Sequence, residues 1–341
     1  WTEDDGVTDV TYYCVPTCTV DADCGVFHER ATCETSTGWC RLLSPFPLNM
    51  SGPRAFGHAM TMKDGGVAFL GGLGSLQGGR LGTIGRYAER FHPDLGIFDR
   101  LDIGAAPETS TAFAAFAAWD NGRAVLVGGV SRATVAMTGA GVGTKVSILN
   151  GIENSDLSAN VLVVDTAGVR FAPSALPEAI ALSTVVLIPG GTFLVVGGVT
   201  TRQGQPPGAS DIIWQCSIDG NLKVSCTAGP SLQVPRVAPV ALCRDEGCRY
   251  VLVVGGNTTG AAAELFEVTD AGLVRRDFNQ NGQLPSTLWA PARCDGAVIG
   301  GSAAVEGVGG MFGAQLNLAG TTLNAGALSS DQGALDTHSV V

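Results

Sequence analysis

One short pattern recurs along most of this chain: an apolar, β-branched segment that ends in two adjacent glycines. The five copies are VAFLGG (67–72), AVLVGG (124–129), FLVVGG (193–198), VLVVGG (251–256) and the weaker AVIGG (297–301). Successive glycine pairs lie 45 to 69 residues apart, and the copies carry no helical periodicity. A self-similar unit of about this length predicts a repeat architecture, and at this chain length a β-propeller.

The composition fits short strands that are buried between packed sheets. Glycine contributes 48 of the 341 residues, and charged residues make up only 15 %, against about 25 % in ordinary soluble domains. No run of about 18 apolar residues is present, so we expect no transmembrane segment. A continuous apolar run predicts a strand covered on both faces. A glycine pair lets the chain leave such a strand with backbone angles, or at a close approach, that a Cβ would obstruct.

The unit resembles the kelch repeat of β-propellers, in a degenerate form of the bacterial secreted type. Its elements are Arg54-x3-His58, the turn Asp64-Gly65, VAFLGG and AERFHPDLGIF (88–98) in the first copy, and Pro235-Arg236, VLVVGG and AELFEVTDAGLV (263–274) in the fourth. Several copies lack the downstream tyrosine and tryptophan of the family. The resemblance covers residues 54 to about 326. It implies an all-β, kelch-like β-propeller with five clear blades and an incomplete sixth.

The sixth blade is inferred from the two ends of the chain. GALDTHSVV (333–341) resembles a first strand of the repeat, and RLLSPFPL (41–48) resembles a fourth strand without partners. The resemblance implies a ring closure that mixes both termini in one blade. A truncated or incompletely traced six-bladed ring is our preferred explanation. A second chain that supplies the missing strands, or a five-bladed ring that closes differently, are the alternatives.

Residues 1–44 are predicted to form a separate cysteine-rich module, which leaves 45–341 for the propeller. Four of its cysteines follow the spacing C-x5-C-x8-C-x6-C from Cys18 to Cys40. A segment this short cannot bury a sufficient core and needs covalent cross-links. The pairs Cys18–Cys33 and Cys24–Cys40 are preferred among the three connectivities that four cysteines allow.

The remaining cysteines extend the same interpretation to the large domain. We expect Cys216–Cys226 and Cys243–Cys248 to pair across hairpins, which leaves Cys14 and Cys294 as partners by elimination. Ten cysteines that all pair indicate an oxidising compartment, so the protein is predicted to be extracellular, periplasmic or on the outer surface. Zinc is the alternative. It is disfavoured because no CxxC pair is present and the only histidines are His28, His58, His92 and His338.

The sequence predicts no catalytic residue, cofactor or metal. The motifs GxSxG, HExxH and GxxxxGK[ST] are absent. Kelch propellers include a copper radical oxidase family, whose site needs two histidines, a tyrosine ligand and a Cys–Tyr cross-link. Only Tyr12, Tyr13, Tyr87 and Tyr250 are present, and we expect His58 and His338 to have packing or turn roles. The net charge of −11 argues against nucleic acid and anionic membranes as partners.

The most informative functional feature is the set of connections between the second and third strands of the units. These are about 73–86, 130–157 and 199–210, and they are predicted to lie on one rim of the propeller. The basic residues on them are Arg80, Arg86, Arg132, Lys145 and Arg202. Up to residue 150 of the second connection and 209 of the third, no carboxylate is present. A basic rim would suit an acidic glycan, a carboxylate-rich protein or a sister subunit; solvated mobile loops are the alternative.

Apolar residues on the same connections favour contact with something over free solvation. They are Leu73, Leu76, Leu81, Ile84, Val130, Val135, Met137 and Val142. The first hypothesis is therefore a non-enzymatic secreted or cell-envelope protein that binds a protein or glycan, alone or in a larger envelope complex. The second is a self-assembling subunit of an extracellular filament or coat, completed by strand exchange. The third is a propeller enzyme, an oxidase or a hydrolase.

Overall fold

The computed structural model divides the chain into two units, Trp1–Asn49 and Met50–Val341. The predicted boundary lies between residues 44 and 45. The structure describes residues 17–26, 31–36, 38–42, 50, 54, 57–63, 65–77, 80–83, 87–93, 97–102, 112–119, 122–134, 136–138, 145–147, 152–165, 172–201, 206–244, 247–256, 263–281, 288–294, 297–302, 311–316 and 320–327.

The first unit is held by cross-links. A 3₁₀ helix at Asp21–Val26 precedes a hairpin of β1 (Ala31–Glu34) and β2 (Trp39–Leu42). Disulfides join Cys18 to Cys33 and Cys24 to Cys40, with Cα–Cα distances of 5.6 and 5.4 Å. The buried cluster of this described part consists of cysteines alone, which is the expected solution for a segment too short to bury an apolar core.

The segment 41–48 was expected to be an outer propeller strand, and its first two residues are not. Arg41 and Leu42 belong to β2, where they pair with Thr32 and Ala31 of the hairpin. Cross-strand pairing within the small unit therefore takes these two positions, and the rest of the segment lies outside the described residues. The expected first strand at 333–341 also lies outside them.

The second unit is all-β, and five of its sheets, called I to V, have four or more strands in the described residues. Sheet I and its connection contain β3 (His58–Thr61), β4 (Val67–Leu70), β5 (Leu73–Gln77), β6 (Arg80–Thr83), β7 (Tyr87–His92) and β8 (Ile97–Asp102). Sheet II and its connection contain β9 (Ala115–Ala118), β10 (Arg123–Val127), β11 (Arg132–Ala133), β12 (Ala136–Thr138), β13 (Lys145–Ser147), a 3₁₀ turn at Asn154–Asp156, β14 (Asn160–Asp165) and β15 (Ala172–Ala175).

Sheet III and its connections contain β16 (Ile180–Ala181), β17 (Thr184–Ile188), β18 (Thr192–Val196), β19 (Val199–Thr200), β20 (Gly208–Ala209), β21 (Ile213–Ile218) and β22 (Val224–Ala228). Sheets IV and V contain β23 (Val240–Cys243), β24 (Tyr250–Val254), β25 (Ala263–Thr269), β26 (Gly272–Arg276), β27 (Asn279–Asn281), β28 (Leu288–Cys294), β29 (Ala297–Ser302), β30 (Met311–Leu316) and β31 (Thr322–Ala327).

Each large sheet is an antiparallel meander, and consecutive sheets pack face to face. The strand orders are β3-β4-β7-β8, β9-β10-β14-β15, β17-β18-β21-β22, β23-β24-β25-β26 and, with β27 added parallel to β31, β28-β29-β30-β31-β27. Separate apolar clusters fill the spaces between sheets I and II, II and III, III and IV, and IV and V. Burial on both faces is why these strands are continuous apolar runs, and this stacking is that of a β-propeller.

The glycine pairs act as expected in the first four copies. Both glycines have positive φ at 71/72, 128/129, 197/198 and 255/256. A Cβ on Gly128 would lie 2.0 Å from the carbonyl oxygen of Ile180. The fifth copy differs, because β29 continues through Gly300 and Gly301 to Ser302, and both glycines keep partners in β30. The expectation that every copy ends its strand at the glycine pair is therefore wrong for this one.

A second repeated feature joins neighbouring sheets at their first strands. The residue two positions before that strand has a left-handed backbone in sheets II, III and IV: Phe113 (φ 56°), Leu182 (φ 53°) and Ala238 (φ 49°). Leu182 N–H donates to the Phe113 carbonyl at 2.9 Å, and Ala238 N–H donates to the Leu182 carbonyl at 2.7 Å. These bonds hold a conformation that non-glycine residues otherwise avoid.

Candidate binding surface

The connections 73–86, 130–157 and 199–210, called the rim segments, contain β structure of their own. In the first, β5 and β6 form a hairpin, and β11 of the second segment pairs with β6. The resulting three-stranded sheet joins the connections of sheets I and II. Strands β12 and β13 form a further hairpin, and β19 pairs with both β16 and β20. The described parts of the rim segments are thus ordered by strand pairing.

Of the five predicted basic rim residues, Arg132 is the one whose side chain is described. Its Nε lies 3.4 Å from Oδ1 of Asp156; the arginine side chain is 49 % exposed and the aspartate fully buried. Asp156 is fixed in turn, because its Oδ2 accepts a hydrogen bond from the Glu153 N–H at 3.1 Å. The carbonyl oxygen of Asp156 accepts another from the Ser131 N–H at 2.9 Å. Asp156 therefore forms an ion pair with the Nε side of the half-exposed guanidinium.

Of the other four predicted basic residues, two are described by their backbone alone and two lie outside the described residues. Arg80 lies in β6 two residues from Gly82, which is the pairing partner of Arg132 in β11. Lys145 lies in β13 and pairs with Thr138. Nothing is described of the side chains of these two, and Arg86 and Arg202 lie outside the described residues. The structure thus brings the backbones of Arg80 and Arg132 together on adjacent strands.

Two apolar rim residues do not face a partner, contrary to expectation. Leu73 is 2 % exposed and Val130 is 0 % exposed. Both pack in a cluster with Ile152 of the rim segments and with Phe113, which lies just before the first strand of sheet II. Their apolar surface is therefore satisfied within the chain. The side chains of the other six predicted residues are not among those described.

Two buried arginine–glutamate pairs occupy equivalent positions in sheets I and IV. Arg54 pairs with Glu89, and its Nη1 donates to the Gly71 carbonyl at 3.0 Å. Arg236 donates to Glu264 from Nε and Nη2 at 3.1 and 3.0 Å, and from Nη1 to the Gly255 carbonyl at 2.7 Å. Desolvation lowers the pKa of Arg236, and the charge of Glu264 opposes this. In each pair the charged groups bond to each other and to the backbone, so they have a structural role.

The described histidines also have packing or pairing roles. His58 stacks on Phe116 of sheet II with ring centroids 5.0 Å apart. Desolvation lowers the pKa of His58 to about 4, against a weaker opposing contribution from the Ala114 backbone. His92 Nε2 lies 3.1 Å from Oδ2 of Asp99. His28 and His338 lie outside the described residues.

The described side chains do not fit a copper centre of the radical-oxidase type. Eight cysteines are joined in the disulfides Cys18–Cys33, Cys24–Cys40, Cys216–Cys226 and Cys243–Cys248. No described cysteine sulfur is therefore left for a cross-link to tyrosine. The Tyr250 ring lies under the Arg249 guanidinium, 5.2 Å from ring centroid to Cζ. The side chains of Cys14 and Cys294, which were expected to pair with each other, lie outside the described part.

Metal binding is also disfavoured in the described part of the small unit. Sulfur atoms of Cys18, Cys24 and Cys40 lie within 4.8 Å of one another, but each is bonded in a disulfide and cannot act as a thiolate ligand. Oδ2 of Asp23 accepts hydrogen bonds from the N–H and hydroxyl of Thr19. Backbone hydrogen bonds from Thr19 and Val20 lower the pKa of Asp23, so its carboxylate caps the backbone.

Comparison with known proteins supports the fold. No protein-family model matches the chain, and no curated protein matches it. Among solved structures it is similar to a fungal alcohol oxidase of the AA5 family in complex with copper, with 15 % sequence identity and a TM-score of 0.50. The match covers 86 % of this chain and 59 % of that one. At this identity the likeness shows the fold alone. In the described residues no helix is long and apolar enough to cross a membrane.

Proposed function

We propose that this chain is a non-enzymatic binding or structural protein of the cell exterior, which presents the rim segments to a protein or acidic glycan. The carrying observation is the three-stranded rim sheet with the half-exposed Arg132 on its β11 edge. Such a sheet supplies an ordered surface on a rigid scaffold, where binding commonly resides. The four disulfides support an oxidising location, which would be extracellular, periplasmic or on the outer surface.

The proposal is tested by removing positive charge from the rim. Arg80, Arg86 and Arg132 are replaced together by Ser, and the variant is compared with wild type by chemical cross-linking to the surface components of the source cells. The recovered cross-linked material should fall at least about tenfold, the effect of losing roughly 1.4 kcal/mol of binding free energy.

A matched control replaces three arginines outside the rim segments, Arg123, Arg249 and Arg276, by Ser. These are exposed residues of β10, of the turn before β24 and of β26. The control should cross-link as wild type does. Equal cross-linking by wild type and the rim variant would contradict the proposal.

An oxidase is the second candidate, supported by the fold likeness to the AA5 alcohol oxidase. The described side chains give it no copper ligand set, so it depends on residues outside them. Metal analysis of protein incubated with Cu²⁺, together with peroxide production from a primary alcohol, tests it directly. Stoichiometric copper and peroxide release would establish the oxidase in place of the binding function. The kelch assignment and the filament hypothesis stay predictions.

A further inference from the structure

We propose that Arg132 recognises a carboxylate of a protein partner, an acidic side chain flanked by apolar residues. The inference rests on the proposed function of the rim and names the chemistry of its partner. Arg132 is half-exposed and forms an ion pair with a buried carboxylate. Oδ1 of Asp156, which is fully buried, lies 3.4 Å from Nε of Arg132.

The geometry suits a carboxylate in particular. A guanidinium whose Nε side faces Asp156 can turn its Nη groups to a partner, and such a planar fork matches the two oxygens of a carboxylate. Holding the fork in place before binding reduces the ordering cost that a flexible side chain otherwise pays. Asp156 can hold it because Glu153 and Ser131 fix the aspartate itself. Arg80, on the adjacent strand, adds a second positive charge to the same sheet.

The rim favours a protein over a carbohydrate. The three rim segments contain no Trp, Tyr or Phe, and therefore no aromatic face on which a sugar ring could stack. The net charge of −11 repels a densely charged polyanion at long range. A single carboxylate among apolar neighbours avoids that repulsion, and the outer strands β5 and β11 of the three-stranded rim sheet offer such a partner main-chain contacts.

The test uses two fluorescein-labelled, terminally blocked peptides, SVLELVS and its counterpart SVLQLVS, in fluorescence anisotropy titrations of the whole chain. Wild type should bind the glutamate peptide at least about tenfold more tightly than the glutamine peptide. Arg132→Lys keeps the charge and loses the fork, so it should weaken binding of SVLELVS about fivefold or more. Arg249→Lys, a matched change outside the rim, should leave binding unchanged.

Asp156→Asn is the decisive variant. It removes a negative charge beside Arg132, so simple electrostatic attraction predicts tighter binding of SVLELVS. An oriented fork predicts weaker binding, by about fivefold, because the amide no longer fixes the guanidinium. Glu153→Gln removes a charge from the same turn and keeps Asp156, so it separates charge from orientation. Thermal unfolding of each variant checks that the fold is retained; if Asp156→Asn unfolds, the Lys and Gln variants decide.

Other outcomes overturn the inference in distinguishable ways. Binding of trigalacturonic acid with no selectivity between the two peptides would assign the rim to a glycan. Tighter binding by Asp156→Asn would reduce the site to simple charge attraction. If the triple rim variant loses its cross-linked partner while neither peptide binds wild type, the proposed function stands and this inference falls. If the triple rim variant keeps its partner, both fall.

Discussion

Sheets I and IV differ from sheet III at one pair of positions, although all three place that pair in the same way. One position lies four residues before the first strand; the other lies in the third strand, opposite the residue two before the glycine pair. The occupants are Arg54 and Glu89 in sheet I, Arg236 and Glu264 in sheet IV, and Ile180 and Trp214 in sheet III. Both members change together, so the fold accepts a buried ion pair or two apolar side chains there.

The comparison shows what the ion pair adds. Arg54 and Arg236 each donate a hydrogen bond to the carbonyl of the first glycine of their own sheet, Gly71 or Gly255. The arginine thereby fixes the point at which the chain leaves the second strand. In sheet III the apolar pair packs into the core between sheets II and III instead. The indole N–H of Trp214 is buried and has no hydrogen-bond partner among the described residues.

Breaking the ion pair of sheet IV should have the largest effect. Arg236→Met takes the fully buried arginine away from the Glu264 carboxylate, which is 2 % exposed and keeps the Gln233 N–H at 2.7 Å and the partly exposed Arg275 at 3.5 Å. Removing one partner of a buried pair costs about 3 to 5 kcal/mol, whereas replacing both by apolar residues is often nearly neutral. Arg236→Met/Glu264→Leu should therefore recover most of the loss. Urea unfolding followed by fluorescence measures both free energies.

The exposed pair in the same sheet provides the control. Arg249 is 66 % exposed where it contacts Glu267, so Arg249→Met should cost no more than about 1 kcal/mol. If the double variant is no more stable than Arg236→Met, then the pair and the apolar residues of sheet III are not interchangeable, and the comparison fails.

The glycine pairs with positive φ are shared by sheets I to IV, whatever occupies the ion-pair positions, so their replacement should cost about the same in each. Gly128→Ala in sheet II places a Cβ 2.0 Å from the Ile180 carbonyl oxygen, and Gly256→Ala in sheet IV places one 2.5 Å from that of Val237. Both glycines also have positive φ. Each change should lower the free energy of unfolding by at least about 3 kcal/mol, because the new residue is strained at positive φ and the facing backbone must also move. Urea unfolding measures the loss.

Gly190→Ala separates the two causes. Gly190 has φ +89°, but a Cβ there would meet nothing within 4 Å. Only backbone strain is added, so the expected cost is about 1 to 2 kcal/mol. A cost for Gly128→Ala as small as that for Gly190→Ala would show that close approach between neighbouring sheets does not constrain the glycine pair.

Local patterns in the sequence were enough for the strands of the repeat, for the first four glycine pairs and for the positions of the three connections between second and third strands. The four pairs Cys18–Cys33, Cys24–Cys40, Cys216–Cys226 and Cys243–Cys248 also coincide with the disulfides of the structure. In each case the signal lies within about one hairpin. The blade packing follows from the same patterns, because a run that is apolar on both faces needs a sheet on each side.

What the sequence did not reveal depends on contacts between distant residues. Glu89 and Glu264 lie 35 and 28 residues from their arginines, and nothing near either glutamate marks it as buried. Asp156 follows Arg132 by a whole hairpin, although the Glu153-x-x-Asp156 capping pattern was a usable local signal. Phe113 has a left-handed backbone although it is not a glycine, so nothing in the sequence indicates this conformation. These features arise only when neighbouring sheets meet.

After the ion pair of sheet IV and the glycine pairs, His58 gives the smallest of the three main effects. It also distinguishes sheet I from sheet IV. It begins the first strand of sheet I, where sheet IV has Val240, and desolvation lowers its pKa to about 4 from 6.5. The unfolded chain then binds the proton more readily, so stability is full above about pH 6.5 and falls as the pH drops through about 4. One pKa unit is 1.36 kcal/mol, so the loss approaches about 3 kcal/mol. His58→Val should remove this part of the pH dependence. Urea unfolding of both proteins from pH 7 to 4 measures the difference, in which the carboxylates common to both cancel, and parallel curves would mean that the imidazole is not desolvated in the folded chain.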